Sequence, residues 1–469
     1  MFFHSLSSLL IFLPTFFIIY SFLKKYSLNF SKIFLLIFSL VFYGFDVPWF
    51  VIPLIISASS DFYISKYLID KKNKFSDYRK IILVISFCIN LSLLVIFKYH
   101  YLISSTFFRD NQLLFLNNSN NIMPVGISFY TFQTLSFTID SFRGKIKKIP
   151  RFIDYLLYVC YFPQLVAGPI LRFSNFFDNN SSLLLYKNLP KINYGFYRIC
   201  YGLFIKLCLA DELSRLNDIA FNSDYSLLGF VDCWTMTFGF GLQIYFDFSA
   251  YSHLAIGISN IIGINIPENF NFPYNSKSAT EFWKRWHISL SSWVSDYLYR
   301  FINNNLTQSF FGAIPLFVTW IIMGLWHGAS WRFAMWGLMN GILILVHRLY
   351  KSIVSKSNNK IIESIYSFIT LSSIMSTWIY FRSSSWDQAN NLFIKLFKFD
   401  GLYFSFRENY YLFVFLFLIT SLLLGELNEY IKLKKTSHIK IVNIIFSSFA
   451  LAFSIIFINR QASFIYFQF

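Results

Sequence analysis

The chain has 469 residues, of which 56% are hydrophobic and 13% are charged, and its formal net charge is +17. Soluble domains are about 45–50% apolar and about 25% charged, so this composition excludes a soluble protein and predicts a polytopic membrane protein. The positive charge does not indicate a nucleic-acid partner. Its basic residues form short clusters between apolar segments, with no basic face interleaved with stacking aromatic residues.

Long apolar segments recur along the chain, and a transmembrane helix needs about 20 such residues. The segments that predict transmembrane helices are Leu6–Leu23, Ile81–Phe97, Phe152–Leu171, Tyr194–Leu209, Phe230–Ile264, Ile314–Trp326, Phe333–Leu349, Ile365–Phe381, Tyr411–Leu424 and Ile441–Ile458. Two others, Ile33–Ser60 and Met123–Ile139, contain Gly and Pro and predict either a kinked helix or a re-entrant pair. We therefore expect an all-α fold of ~11 transmembrane helices, with interfacial helices, in one domain covering residues 1–469.

Basic clusters between these segments predict the orientation of the chain. The loops rich in Lys and Arg are Lys66–Lys80, Arg143–Arg151, Arg348–Lys360 and Lys432–Lys440. Cytoplasmic loops carry an excess of these residues, so all four are predicted to be cytoplasmic and the C-terminal end of the chain to lie outside.

The five cysteines include no C-x-x-C pair and lie in or beside apolar segments, which predicts neither a metal site nor a disulfide framework.

Two segments contain histidines in apolar surroundings. Glu281–Arg300 reads EFWKRWHISLSSWVSDYLYR, and its helical periodicity places His287 on an apolar face opposite a polar one. In WIIMGLWHGASWR, His327 lies between Gly324 and Gly328, a spacing that allows a second helix backbone to come close. An ionisable residue at such a position is a functional candidate, although an intramembrane histidine also serves as a hydrogen-bonding residue between helices.

Several longer stretches, in the same order along the chain, resemble one protein family. They are MPVGISFYTFQTLSFTIDSFRG, YFPQLVAGPILRF, IYFDFSAYSHLAIG, RWHISLSSW and MGLWHGASWRF, together with FFHSLSSLLIFLP near the start and FIYFQF at the end. This combination resembles the membrane-bound O-acyltransferase (MBOAT) family, in particular the bacterial branch that acylates cell-surface polysaccharides. The sequence departs from the family pattern at Ala250 and His253, where the family has Gly and Asp, so no role is assigned to position 253.

The resemblance implies an enzyme of the bacterial inner membrane whose helices surround a central funnel. It implies transfer of an acyl group, expected to be acetyl, from a cytoplasmic thioester such as acetyl-CoA to an exported glycopolymer. No permanently bound cofactor or metal is implied; the partners are membrane lipid and an extracytoplasmic protein of the SGNH-hydrolase type. The alternatives are a polysaccharide or lipid-linked sugar transporter, and an acyltransferase of the same family that acts on lipid or protein. A transporter usually has two repeated halves, and the sequence shows no such repeat.

The same resemblance implies roles for individual residues. His327 matches the histidine expected to be the general base, and His287 is expected to orient a substrate or to stabilise charge on the thioester carbonyl. Tyr466, in FIYFQF, is expected to carry the acyl group transiently, unless it is an interfacial aromatic anchor.

Other polar residues are candidates for supporting roles. Lys277, Lys284 and Arg285 could bind the phosphates of the donor or anionic lipid headgroups. Asp247, inside an apolar segment, is expected either to orient a catalytic histidine or to pair with an arginine such as Arg285 or Arg332. Gln164, beside a Gly-Pro break, is expected in a re-entrant wall of the central cavity or simply at a helix end.

Overall fold

The computed structural model describes residues 8–70, 76–107, 123–178, 190–305, 312–353, 360–399, 401, 404–434, 439–458, 462 and 464–465. These residues are mostly helical, which confirms the predicted all-α class. The chain divides into two compact units, Met1–Ile199 with Tyr251–Pro267 and Cys200–Ala250 with Glu268–Phe469. The prediction of a single domain stays a prediction.

The helices before the long helix Phe230–Ile262 mostly belong to the first unit. They are α1 (Leu13–Tyr26), α2 (Leu28–Gly44), α3 (Val51–Ile69), α4 (Ser76–Leu94), α5 (His100–Phe107), α6 (Ile127–Phe142), α7 (Phe152–Cys160), α8 (Phe162–Leu165), α9 (Phe173–Phe176), α10 (Ile192–Phe204) and α11 (Asp211–Phe221). Single π-helical turns follow α4 and α10, at Val95–Tyr99 and Ile205–Ala210.

The remaining helices begin with the longest one. They are α12 (Phe230–Ile262), α13 (Ala279–Arg285), α14 (Ile288–Trp293), α15 (Arg300–Asn305), α16 (Ala313–His327), α17 (Trp331–Ile353), α18 (Lys360–Arg382), α19 (Trp386–Lys395), α20 (Glu408–Lys434) and α21 (Ile439–Phe457). A π-helical segment, Val294–Tyr299, joins α14 to α15. The segment Phe230–Ile264, predicted from its apolar composition, is therefore one continuous helix over most of its length.

Three helical segments in the described part of the chain are long and apolar enough to cross a membrane: Tyr78–Thr106, Trp331–Ser352 and Glu408–Gly425. Shorter apolar helices are Leu28–Gly44, Ala313–His327 and Ser447–Phe457. The number of crossings predicted from the sequence stays a prediction.

Glycine and proline explain two departures from simple apolar helices. The interrupted segment Ile33–Ser60 is a pair of helices, α2 and α3, with a turn of 3-10 helix beginning at Pro48 between them. The prediction of one helix over Phe152–Leu171 is wrong, because α7 ends at Cys160 and the four-residue α8 follows. Pro163 lies in the first turn of α8, where its missing N–H costs no hydrogen bond, whereas within a continuous helix it would break the preceding turn.

In the first unit, a buried polar cluster joins α3 and α4. Asp61 has no exposed surface, and its carboxylate accepts hydrogen bonds from Ser86 Oγ at 2.5 Å and from Asn90 Nδ2 at 2.9 Å. Ser57 Oγ donates in turn to Asn90 Oδ1 at 2.7 Å. Because buried polar groups are costly unless hydrogen-bonded, this cluster fixes the pairing of the two helices.

In the second unit, α16 and α17 come closest at Gly324. A Cβ atom built on Gly324 would lie 2.0 Å from the carbonyl oxygen of Phe333, and one on Gly337 would lie 2.1 Å from that of Trp320. The predicted close approach of a second backbone is therefore confirmed at Gly324. At Gly328 the neighbour is instead the Phe333 ring, 2.1 Å from such a Cβ.

We expect Gly324→Ala to destabilise the second unit, because its methyl group would overlap a backbone carbonyl that moves only with the whole helix. Overpacking of this kind costs about 1–3 kcal/mol, so the detergent-solubilised protein should melt at a lower temperature. Gly341→Ala on the facing helix α17 is the control, since its Cβ would meet only side-chain atoms, of Phe317 at 3.0 Å and of Trp320 at 3.4 Å. Equal melting temperatures for the two variants would contradict this account of the helix contact.

Candidate active site

His287 lies at a corner between two short helices rather than on the face of one long helix. The predicted continuous amphipathic helix is wrong: α13 ends at Arg285, His287 has the left-handed backbone conformation (φ 42°, ψ 54°), and α14 begins at Ile288. A loop from the same unit forms hydrogen bonds with the backbone groups at this break. Ile288 N–H donates to the Asn269 carbonyl at 2.9 Å, and Asn271 N–H donates to the Arg285 carbonyl at 2.9 Å.

Asn269 fixes the orientation and the tautomer of the His287 ring. Asn269 Oδ1 accepts hydrogen bonds from Ser289 N–H at 3.2 Å and from Ser289 Oγ at 2.8 Å, and lies 3.1 Å from His287 Nδ1. Because a carbonyl oxygen can only accept, Nδ1 carries the hydrogen and Nε2 keeps the lone pair. Neither flanking helix is among the described segments that are long and apolar enough to cross a membrane. Burial lowers the pKa of His287 to about 3, so the ring is neutral.

His327 is the last residue of α16 and is 7% exposed. Aromatic rings surround it, with centroids at 4.8 Å for Trp326, 5.1 Å for Trp336 and 5.3 Å for Phe381. The C-terminal end of a helix carries partial negative charge, which stabilises a positive charge on a nearby ring. This position therefore suits an imidazole that takes up a proton during a reaction.

One cavity of ≈ 390 Å³ is lined by both histidines. Its wall also includes hydroxyl groups and apolar side chains, among them Ser291, Ser292, Ser295, Thr319, Leu290, Leu316 and Met323. Two cations, Lys284 and Arg348, line it as well. The structure thus brings together two histidines that are 40 residues apart in the sequence.

Of the three basic residues predicted to bind a donor, only Lys284 lines this cavity. Lys277 instead forms an ion pair with Glu363 at 3.3 Å, and Arg285 pairs with Glu281 at 2.8 Å. Arg348, which the sequence indicated only as part of a basic loop, lies over the Tyr299 ring at 5.8 Å and lines the cavity.

Asp247 is buried and paired with a lysine. Pairing with Arg285 or Arg332 was the wrong prediction, because Asp247 Oδ1 lies 2.8 Å from Lys206 Nζ. Lys206 follows α10 in a π-helical turn and also pairs with Asp211 at 2.8 Å. The role of this lysine was not predictable from the sequence, because Lys206 lies at the end of a segment that has the composition of one apolar helix.

Gln164 has a structural position in the first unit. Its Nε2 donates to Gln133 Oε1 at 2.9 Å and to the Val159 carbonyl at 3.2 Å, and the side chain is buried in the short helix α8.

Tyr466 lies outside the described residues; the two residues before it, Phe464 and Ile465, are buried. Among the described residues, no three His, Cys, Asp or Glu side chains are grouped so as to hold a metal ion.

Residues 77–386, about two thirds of the chain, match the family described as "MBOAT, membrane-bound O-acyltransferase family". The chain belongs to this family. It is therefore a multi-pass membrane protein and an O-acyltransferase, which leaves the transporter alternative without support.

Individual relatives narrow the class to the bacterial branch that acylates cell-surface polymers. The chain is 32% identical over 414 residues to the peptidoglycan O-acetyltransferase of Helicobacter pylori, covering 81% of this chain and 76% of that protein. It is 36% identical over 278 residues to the probable alginate O-acetylase AlgI of Azotobacter vinelandii, covering 59% of this chain and 54% of that one. It is 30% identical over 253 residues to the teichoic acid D-alanyltransferase of Bacillus subtilis, covering 50% of this chain and 60% of that one.

Proposed function

We propose that this protein moves an acetyl group from a cytoplasmic thioester, with acetyl-CoA as the expected donor, to a hydroxyl of an exported cell-surface polysaccharide. The acceptor hydroxyl belongs either to the polymer or to an extracytoplasmic partner of the SGNH-hydrolase type, and the enzyme works in the bacterial inner membrane. The observation that carries the proposal is that His287, His327, Lys284 and Arg348 line one and the same cavity. The acetyl transfer named for two of the relatives supports acetyl as the group.

His327 is the general base in this proposal. A hydroxyl is a weak nucleophile at neutral pH, so a base must remove its proton as the oxygen attacks the thioester carbonyl. A C–O bond forms, the tetrahedral intermediate then breaks its C–S bond, and the proton passes from His327 to the leaving sulfur. The position of His327 at the C-terminal end of α16 favours the imidazolium that exists between these two steps.

His287 acts as a hydrogen-bond acceptor rather than as a source of positive charge. Its ring is neutral, and Asn269 keeps the hydrogen on Nδ1, so Nε2 can accept a hydrogen bond. Of the two roles expected for this residue, the arrangement supports orienting a hydroxyl substrate. Asn269 is a positioning residue, since it acts on the substrate only through the His287 ring.

Lys284 and Arg348 are proposed to bind the phosphates of the donor. Arginine donates two parallel hydrogen bonds to a phosphate, and charge-assisted bonds of this kind are roughly twice as strong as neutral ones. The cavity between these cations and the histidines would then accommodate the acyl end of the thioester. The acyl group, unlike the whole coenzyme, is small enough to pass between packed helices.

The test is a thioester assay on the detergent-purified protein. We expect the release of free coenzyme A from acetyl-CoA to depend on the enzyme and on an added hydroxyl acceptor. Arg348→Gln should raise the KM for acetyl-CoA by about tenfold while changing kcat less, because a charge-assisted hydrogen bond contributes about 1.5–3 kcal/mol and is present before and during the chemical step.

Lys277→Gln is the matched control, since Lys277 is exposed and paired with Glu363 away from the cavity wall. Both substitutions remove one positive charge from the same unit. Equal KM values for the two variants would refute the assignment of Arg348, and an absence of thioester turnover with every acceptor would refute the proposed function.

A further inference from the structure

Two arginines of the second unit lie at the end of α17 opposite to Arg348. Arg332 is in the first turn of α17, and Arg382 is the last residue of α18. Their positive charges are close enough to repel each other. Arg348, proposed to bind the donor, follows Arg332 by 16 residues on the same helix, which is roughly 24 Å along its axis. The phosphates of the donor therefore do not account for Arg332.

The two arginines differ in their partners. Arg382 forms an ion pair with Asp218 of α11 at 2.5 Å, and its guanidinium lies over the Phe221 ring at 5.2 Å. In the part of the chain that the structure describes, Arg332 has no carboxylate partner, and its guanidinium lies over the Phe333 ring at 5.9 Å. Arg332 is partly exposed, so a ligand can reach it. Two like charges held near a single carboxylate leave a surplus positive charge, which a bound anion would neutralise.

Two aromatic rings connect this arginine pair to His327. Phe333 directly follows Arg332 and Phe381 directly precedes Arg382, and the two rings pack edge-on at 4.9 Å. The Phe381 ring also contacts the His327 ring, with the centroids 5.3 Å apart. A group bound at Arg332 therefore lies close to the proposed general base, at the other end of α17 from the cations proposed to bind the donor.

The predicted orientation of the chain places this end of α17 outside the cell. The basic loop Arg348–Lys360, which joins α17 to α18, is predicted to be cytoplasmic, so the far ends of both helices face the opposite side. Arginine is enriched on the cytoplasmic side, and a pair at the outer end goes against that bias. In the proposed reaction, the acceptor is what approaches from outside.

We propose that Arg332 binds an oxyanion of the acceptor polymer, a sugar carboxylate or a phosphodiester, and thereby makes the enzyme specific for acidic glycans. A planar guanidinium donates two parallel hydrogen bonds to either group. Arg382, held in place by Asp218, adds to the positive potential at this site. The bound anion keeps a hydroxyl of the same polymer near His327. This inference rests on the proposed function, since it concerns the acceptor of that reaction, but binding of the anion requires no turnover.

Equilibrium binding to the full-length protein in phosphatidylcholine nanodiscs tests the site without turnover. The probes are an oligouronate, its carboxyl-reduced neutral form and a phosphodiester-linked sugar oligomer, each carrying an uncharged fluorophore for anisotropy. We expect the wild type to bind at least one charged oligomer at least tenfold more tightly than the neutral one, and Arg332→Gln to lose this preference. Which charged oligomer binds identifies the oxyanion.

Lys351→Gln is the matched control. It removes one positive charge from an exposed position near the other end of α17, so the preference for charged oligomers should remain. In the thioester assay, Arg332→Gln should raise the KM for the charged acceptor about tenfold with a smaller effect on kcat, because the anion is bound before and during the chemical step. A merely structural role would instead raise or lower the kinetic constants of charged and neutral acceptors alike.

Three results would overturn the proposal. They are equal binding of charged and neutral oligomers by the wild type, an equal loss of preference in Arg332→Gln and Lys351→Gln, and tighter binding of phosphatidylglycerol than of either charged oligomer at Arg332, which would make this residue a lipid contact. Where the glutamine variant fails to fold, Arg332→Lys replaces it and should bind the charged oligomer less tightly than the wild type, since lysine cannot form the two parallel hydrogen bonds. Preferential binding without thioester turnover would count against the proposed function alone.

Discussion

Replacing His327 by alanine should lower the rate of acyl transfer by ~10²–10⁴, the usual contribution of a general base. The residual rate would come from binding of donor and acceptor in the cavity, which the substitution leaves in place. His327 packs against Trp326, Trp336 and Phe381, so the truncation also leaves a space among aromatic rings. A melting curve is therefore measured alongside the acetyl-CoA assay, to separate a loss of chemistry from a loss of folding.

His347→Ala is the control for this experiment. His347 lies on α17, pairs with the Tyr366 hydroxyl at 2.6 Å and does not line the cavity, so its removal should leave the rate near that of the wild type. His287→Ala should have an intermediate effect, since it orients a substrate without taking its proton. A near-normal rate for His327→Ala would show that this histidine is a structural hydrogen-bonding residue between helices.

The helices were the most predictable part of the fold, because their signal is local. Apolar composition located α12 and α16 to within a few residues. The helix break at His287 was not predictable in the same way. Helical periodicity continues through Trp286 and His287, and the break depends on hydrogen bonds from a loop that becomes adjacent only in the folded chain.

The same distinction applies to the charged residues of the site. Asp247 is recognisable in the sequence as a buried carboxylate that needs a partner. Its lysine, however, is 41 residues away, and its second partner, the N–H of Ile465, is 218 residues away. Arg348 was assigned only to a cytoplasmic basic loop. Its sequence neighbours do not distinguish an arginine that lines a cavity from one that only contributes to the positive charge of a cytoplasmic loop. Residue type therefore predicted which charged side chains would need a partner. The partner that each one contacts depends on residues far away in the sequence.

The Tyr466→Phe variant tests whether the Tyr466 hydroxyl carries the acyl group on its way from the cytoplasmic donor to a polymer outside. The ring and its interfacial anchoring are retained by phenylalanine, so membrane insertion and the melting temperature should not change. If the Tyr466 hydroxyl carries the acyl group, its loss should reduce polymer-bound ester to background and remove an acetylated C-terminal peptide detectable by mass spectrometry in the wild type.

The control is Tyr350→Phe, which removes a hydroxyl from a ring stacked on Tyr366 at 4.7 Å, away from the cavity wall. It should leave the amount of ester unchanged. Ester at the wild-type level in the Tyr466→Phe strain would show that Tyr466 is only an aromatic anchor. The acceptor hydroxyl would then have to reach His327 from the polymer or from the extracytoplasmic partner.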